Sequence, residues 1–267
     1  MRIGFIGAGN MATALAGAIV GAIDDARIVA FDVDAGRLTE FIHAVARPGD
    51  SDAVTAAAGN AQVVDGCDVC FLAVKPQVMP TILAEIAGAG GLLVSIAAGI
   101  RIATFETALP DARIVRVMPN TPCLVGAMAA GYANGSRVTS EDREVVSRLL
   151  SSAGYAVELP ERLLDAVTGL SGSGPAFVAR LIGAFTDAGA ANGLPREVAY
   201  RLTLATFAGT ARLLDGHAMT PDELVTMVSS PNGTTVAGRA VLEASDIADV
   251  IASTVAAATN RSKELGS

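Results

Sequence analysis

Two short polar stretches of this chain combine residue types that have a chemical use. The first, Gly7-Ala8-Gly9-Asn10-Met11-Ala12, follows an apolar run at residues 2–6 and opens a helix-forming stretch. In that setting the first glycine permits a tight turn and the second lets backbone approach a pyrophosphate. Ala12 stands where a third glycine is usual and still allows close helix–strand packing. The helix start then offers unpaired N–H groups and the positive end of its dipole. Asp32, at the end of the next apolar run, suits the 2′-hydroxyl of an adenosine ribose and repels a 2′-phosphate unless an arginine intervenes. Arg37 stands one helical turn further on. These residues predict a nicotinamide dinucleotide, NADH or NADPH, bound for hydride transfer. The competing reading is a glycine-rich turn made only for packing.

The second stretch, Ser229-Ser230-Pro231-Asn232-Gly233-Thr234-Thr235, is a polar turn leading into a helical run at residues 236–244. Its backbone N–H groups and helix dipole can hold a carboxylate without an arginine. The competing reading is an ordinary capping turn. Acid–base groups are scarce. Dehydrogenases of hydroxy acids need a His or Lys for the hydroxyl proton, and the chain has two histidines. His43 lies in the helix after the second strand and His217 in a glycine-containing connection, so neither is expected to be catalytic. Gly169-Leu-Ser-Gly172-Ser-Gly174-Pro-Ala-Phe-Val178 imitates the lysine motif of β-hydroxyacid dehydrogenases but has Val178 where the lysine belongs. Hydroxy-acid chemistry falls.

Elements must carry these stretches to one place. Apolar runs bounded by glycine and proline predict strands at 2–6, 27–31, 69–74, 92–96, 113–118, 128–133 and 156–159. Helices are expected at 10–23, 35–46, 80–87, 102–109 and 141–153, with only helices after about Glu161. Pro175, Pro195 and Pro221 mark helix starts. The expected class is α/β: an N-terminal Rossmann-type, doubly wound parallel sheet over residues 1–160, then an all-α domain over 161–267. Ala73-Val74-Lys75-Pro76 and Ala97-Ala98-Gly99 then stand at carboxyl ends of strands, where open parallel sheets bind ligands. Lys75 reads as a solvated turn residue, or as a cation facing a substrate carboxylate or the cofactor. Asn120, after the fifth strand, is expected near the nicotinamide.

With no Trp and few aromatics, the core must be Ala, Val, Ile and Leu. A net charge of -8 without any Lys/Arg cluster argues against nucleic acid and anionic membranes. No apolar run reaches the roughly 18 residues of a membrane span, and a cytoplasmic enzyme is expected. No metal site is expected. Cys67 and Cys70 flank the start of an apolar strand, where alternation points residues three apart to opposite faces. They read as reduced, packed thiols rather than a redox or zinc pair.

Six motifs occur in order: Ile6-Gly-Ala-Gly-Asn-Met-Ala12, Ala73-Val-Lys-Pro76, Ser95-Ile-Ala-Ala-Gly99, Arg116-Val-Met-Pro-Asn-Thr-Pro122, Thr168-Gly-Leu-Ser-Gly-Ser-Gly-Pro-Ala176 and Ser229-Ser-Pro-Asn-Gly-Thr-Thr235. Together they resemble the Δ1-pyrroline-5-carboxylate reductase family, from the first residue to about Glu264. The resemblance implies reduction of a cyclic imine to L-proline, the last step of proline biosynthesis, with NADPH or NADH. It implies that Ser230, Gly233 and Thr234 contact the substrate carboxylate and that the Thr235 hydroxyl bonds the ring nitrogen, with Val228 beside them. Ser230 and Thr235 are thereby the candidate catalytic residues. Glu161 matches a family position near the substrate, and Asn60 a contact on the adenosine side. The family usually has two glycines after the proline of the last motif; here the first is Asn232, a residue tolerant of left-handed backbone. An imine can arrive already protonated, which suits a chain lacking a catalytic His or Lys. The helical domain is implied to form a homodimer or larger homo-oligomer, consistent with Gly/Ala-rich helices that would leave an apolar face exposed in a monomer. Two alternatives remain: a reductase of a related cyclic imino acid, which Asn232 slightly favours, and a non-catalytic dinucleotide-binding module.

Overall fold

A computed structural model of the chain describes every residue except Pro48, Ser51 and Ser267. It divides into two compact units: Met1–Ser173 together with the residues from Ala256 onward, and Gly174–Val255.

The first unit is built on eight strands: β1 (Arg2–Ile6), β2 (Arg27–Phe31), β3 (Val54–Ala56), β4 (Val69–Leu72), β5 (Leu92–Ser95), β6 (Arg113–Met118), β7 (Met128–Asn134) and β8 (Gly154–Glu158). Their order across the sheet is β3-β2-β1-β4-β5-β6-β7-β8. The helices between them are α1 (Asn10–Ala22), α2 (Ala35–Val45), α3 (Asn60–Asp65), α4 (Met79–Glu85), α5 (Ile102–Ala108) and α6 (Ser140–Ser151). A short helix α7 (Leu164–Val167) and a π-helical turn at Thr168–Gly172 follow the last strand. Successive strand residues face opposite ways, so Ile3, Phe5 and Phe71 join one buried cluster while Ile6, Cys70 and Leu72 join the other. Phe5 stacks on Phe71 with ring centroids 4.9 Å apart and tilts against Phe41. Both faces of the sheet are therefore covered, as parallel strands require.

The strand order reverses at β1, which lies between β2 and β4, and this places the ligand crevice at their carboxyl ends. Every pairing is parallel except β6 with β7. The expectation of a wholly parallel sheet fails there because no crossover helix separates these strands. A 3-10 turn at Thr121–Val125, ended by Gly126 in left-handed conformation, returns the chain within a few residues. Parallel neighbours need a dozen or more.

Other differences have local causes. β3 and α3 were not foreseen: three and six residues in an Ala/Gly-rich stretch carry no readable period. β8 starts at Gly154, two residues before the expected start. At φ 144 its Cα lies against the Met128 backbone, where a Cβ would overlap the chain. Cys67 precedes β4, so strand alternation does not govern it. Its sulfur and that of Cys70 converge on Gly4, 2.8 and 3.2 Å from where a Cβ of that residue would stand.

The second unit is helical, with α8 (Gly174–Ala191), α9 (Arg196–Gly216), α10 (Pro221–Val228), α11 (Thr234–Glu243) and the first part of α12 (Ile247–Leu265). Phe185 of α8 and Phe207 of α9 meet edge to face at 5.4 Å. Pro195 caps α9 and Pro221 opens α10, while Thr220 and Glu223 form a reciprocal cap. The expected division at Pro160 precedes the one between the units, because residues 161–173 pack back on the sheet. There Val167 lies 2.8 Å from the Cβ position of Gly131, and a carbonyl of the π turn is held by Asn120.

Two glycine substitutions should separate backbone necessity from mere tolerance. Gly154→Ala combines left-side strain with overlap on Met128 and should cost about 2–4 kcal/mol. Gly17→Ala, in a helix where an added Cβ meets nothing within 4 Å, should add about 0.5–1 kcal/mol. Denaturant unfolding of both variants checks the pair.

Candidate active site

Gly7 takes φ 96 and donates its N–H to the Phe31 carbonyl at 2.8 Å. A Cβ here would stand 2.7 Å from the Ala73 carbonyl and 3.0 Å from Val74, so only glycine lets the β1 and β4 loops close together. Gly9 is the opposite case. A Cβ on it would touch nothing, and it begins α1 with no side-chain cap. The first amides of α1 are thus left for an outside acceptor. Ala12 is fully buried under the turn, Asn10 is exposed and Met11 half-exposed.

Asp32 lies just past β2. One carboxylate oxygen accepts the Ala8 N–H at 2.8 Å and the other the Asp34 N–H at 2.9 Å. The residue therefore shapes the turn while remaining partly exposed. Arg37 pairs at 3.5 Å with Asp34, both largely exposed. A cavity of about 550 Å³ is lined by Ala8, Gly9, Asn10, Arg37 and Lys75 among others. Lys75 is exposed in that wall, without an ion pair among the described residues.

Asn60 opens α3 and is buried. Its side-chain amide donates to Glu85 at 2.5 Å, while Oδ1 is buried without a partner among the described residues. Such an oxygen costs about 1–3 kcal/mol until a donor meets it. Ribose hydroxyls and adenine amines are donors, so an orphaned acceptor, a glycine cradle and an uncapped helix start fit a dinucleotide.

After β5, Ala97 is buried, Ala98 is exposed and Gly99 takes φ 78. Unforeseen from the sequence is what lies on that loop. The Leu265 carbonyl sits 3.3 Å from the Cβ position of Gly99, and the Gly266 carbonyl accepts from Arg101 Nε at 3.0 Å. Ser262, buried, donates to Asp165 at 2.7 Å and anchors the same end of α12. A cavity of about 510 Å³ lies between this loop and the turn at Pro76–Val78.

Two expected contacts sit in other company. Asn120 is buried, its Oδ1 accepting from Ala129 N–H at 2.9 Å and its Nδ2 donating to the Ser171 carbonyl at 3.0 Å. The amide ties the end of β6 to β7 and to the π turn. Glu161 Oε1 accepts from Ile102 N–H at 2.8 Å, capping α5, and from Arg116 at 3.0 Å. Arg116 is buried, so Glu161 is its counter-charge. No sequence spacing signals that pair.

In the second unit the Ser229–Thr235 stretch joins α10 to α11. Gly233 N–H donates to the Ser230 carbonyl at 2.9 Å, and the Ser230 hydroxyl occupies the space a Gly233 Cβ would need. Asn232 takes φ 57, the left-handed conformation expected of it. Gly233 begins α11 without a side-chain cap. The first amides of α11, at Thr234 and Thr235, and the Thr235 hydroxyl have no acceptor or donor among the described residues, and both threonines are exposed. Val228, exposed, ends α10. Ser229, which sequence reasoning passed over, buries its hydroxyl without a partner among the described residues. His43 and His217 are both exposed, and no metal-binding cluster occurs among the described residues.

Comparison with known proteins points to one family. The family described as "Pyrroline-5-carboxylate reductase dimerisation" matches residues 161–265, and that described as "NADP oxidoreductase coenzyme F420-dependent" matches residues 2–99. The pyrroline-5-carboxylate reductase of Methanosarcina acetivorans is 40% identical over 99% of this chain and 98% of its own. A solved pyrroline-5-carboxylate reductase from Coxiella burnetii superposes with a TM-score of 0.90 at 31% identity, covering 99% of this chain and 98% of that one. The pyrroline carboxylate reductase of Plasmodium falciparum, solved with NADP bound, gives 0.83 at 30% identity over 100% and 98%. With a full-length relative at 40% identity and the six ordered motifs in place, the chain belongs to the pyrroline-5-carboxylate reductase family.

Proposed function

We propose that this chain reduces pyrroline-5-carboxylate to L-proline with hydride from NADPH or NADH. The observation that supports it most is the Ser230–Thr235 turn. It offers an uncapped helix start for a small carboxylate and a free hydroxyl beside it, in a chain with a dinucleotide turn at Gly7–Gly9. The reduced nicotinamide, when bound, supplies hydride to the imine carbon.

The chain's own residues bind and orient. Gly7, Ala8, Gly9, Asn10 and Met11 present backbone to the pyrophosphate, and Asp32 takes the ribose hydroxyls. Asn60 Oδ1 accepts on the adenosine side. Ala73, Val74, Lys75 and Pro76, with Ala97, Ala98 and Gly99, form the floor at the strand ends, and Asn120 braces it. Ser230, Gly233 and Thr234 hold the substrate carboxylate, with Val228 against the ring. The Thr235 hydroxyl accepts from the protonated ring nitrogen and fixes the imine plane for attack. Glu161 acts near the substrate through Arg116 and Ile102. No side chain needs to donate a proton if the imine arrives as an iminium. Residues 1–160 carry the dinucleotide, and 161–267 carry substrate binding and dimerisation. The homo-oligomer is a dimer or larger. No helix among the described residues is long and apolar enough to cross a membrane.

The direct test is loss of NADH and NADPH absorbance on adding pyrroline-5-carboxylate, with proline as product. Cofactor binding without turnover would leave only a dinucleotide-binding module. Thr235→Ala should lower kcat/KM about tenfold or more, the worth of a hydrogen bond to a charged group; wild-type kinetics would remove Thr235 from the mechanism.

Cofactor choice follows from Asp32. A carboxylate there favours a ribose hydroxyl over a 2′-phosphate, and Arg37 offsets part of this. NADH should serve at least as well as NADPH. Asp32→Ser should move the kcat/KM ratio toward NADPH; an unchanged ratio in an enzyme that strongly prefers NADPH would mean that Asp32 does not face the ribose.

A further inference from the structure

Cys67 and Cys70 belong to neither the dinucleotide turn nor the Ser229–Thr235 stretch. Cys70 lies on β4, fully buried and paired in register with Gly4 of β1. Cys67 lies in the loop before β4 and is half-buried, its thiol directed at the Val64 carbonyl at 3.6 Å. The two sulfurs stand 2.8 and 3.2 Å from the one point a Gly4 Cβ would fill. A Val63 methyl lies 2.7 Å from that same point, and only glycine at this position leaves room for the methyl and both sulfurs.

The thiols also differ in acidity. The hydrogen bond from Cys70 lowers the Cys67 pKa below the usual thiol value, outweighing partial burial, and the Gly4 N–H adds to it. The same bond and full burial raise Cys70 well above that value. Cys123 is isolated, and burial pushes it up to about 11. An outer, more acidic sulfur with an inner, less acidic thiol against it is how an oxidisable cysteine and its resolving partner are arranged.

We propose that Cys67 and Cys70 form a peroxide-oxidisable dithiol, closing a disulfide across Gly4. The Cys67 thiolate attacks the O–O bond of a hydroperoxide, taking the hydroxyl to become a sulfenic acid. The other oxygen leaves as alkoxide or hydroxide and is protonated. The Cys70 sulfur then attacks the Cys67 sulfur, its proton leaving with the hydroxyl as water as the S–S bond forms. Two thiols lose two electrons in all, and the peroxide is reduced to water and an alcohol, or to two waters.

The test treats the full chain with hydrogen peroxide at millimolar concentration and follows free thiols and intact mass under denaturing conditions. Wild type should lose two of its three thiols and the mass of two hydrogens, and dithiothreitol should restore both. Cys67→Ser should keep its two thiols. Cys70→Ala should stop at a sulfenic acid that dimedone labels on Cys67. Should Cys70→Ala fold poorly, the Cys67→Ser comparison and peptide mapping of the wild-type bridge decide alone. Three thiols surviving in wild type, thiol loss in Cys67→Ser at the wild-type rate, or a bridge between two chains would each overturn the dithiol.

Discussion

An acidic chain that binds anions can do so with its backbone. The protein has 27 acidic residues against 19 Lys and Arg, yet a dinucleotide and an imino acid both bring negative charge. Helix starts answer this, because their first amides lack intrahelical acceptors and carry the positive end of the dipole. That requires withholding the side-chain caps used elsewhere. Asp34, Thr139 and Thr220 cap α2, α6 and α10; α4, α7 and α9 begin without a side-chain cap, and α1, α3 and α11 do so at a glycine, Gly9, Gly59 and Gly233. Each of the three glycine starts adjoins residues proposed above to meet a ligand.

The sheet keeps the α1 and α3 starts in place. Gly7 lets the β1 and β4 loops touch, and Asp32 holds the turn by the Ala8 amide rather than by reaching for solvent. Charge is used sparingly and is mostly structural. The buried Arg116 is matched by Glu161, and Arg113 by Asp142 at 2.8 Å. Removing one partner of a buried pair leaves an uncompensated charge, which is costly. Glu161 thus joins residues after the sheet to the loop that follows β5.

What could be read in the sequence was what depends on neighbours in the chain. The glycine turn, the helix starts at proline, the left-handed Asn232 and most strands are local, and the motif order carried the family. What could not be read depends on residues distant in sequence. The partner of Glu161 lies 45 residues away and that of Ser262 lies 97 away. The position of Asn120 after a strand points to the cofactor, and only the fold reveals both ends of its amide on backbone. Strand alternation does not reach Cys67, two residues outside β4. Short elements such as β3 escape because three residues bury too little to impose a period.

The return of α12 has a topological meaning. Residues 256–266 return to the first unit, Ser262 to α7 and Gly266 to the loop after β5, so Gly174–Val255 is an insertion joined to its host by two covalent strands of chain. A protease cutting once within that insertion leaves a nicked molecule rather than a separated pair of domains. The trailing fragment still carries the turn that lies on Gly99. Sequence order and assembly order thereby differ: on a ribosome the sheet is complete long before the last helical turn emerges to cover the loop after β5.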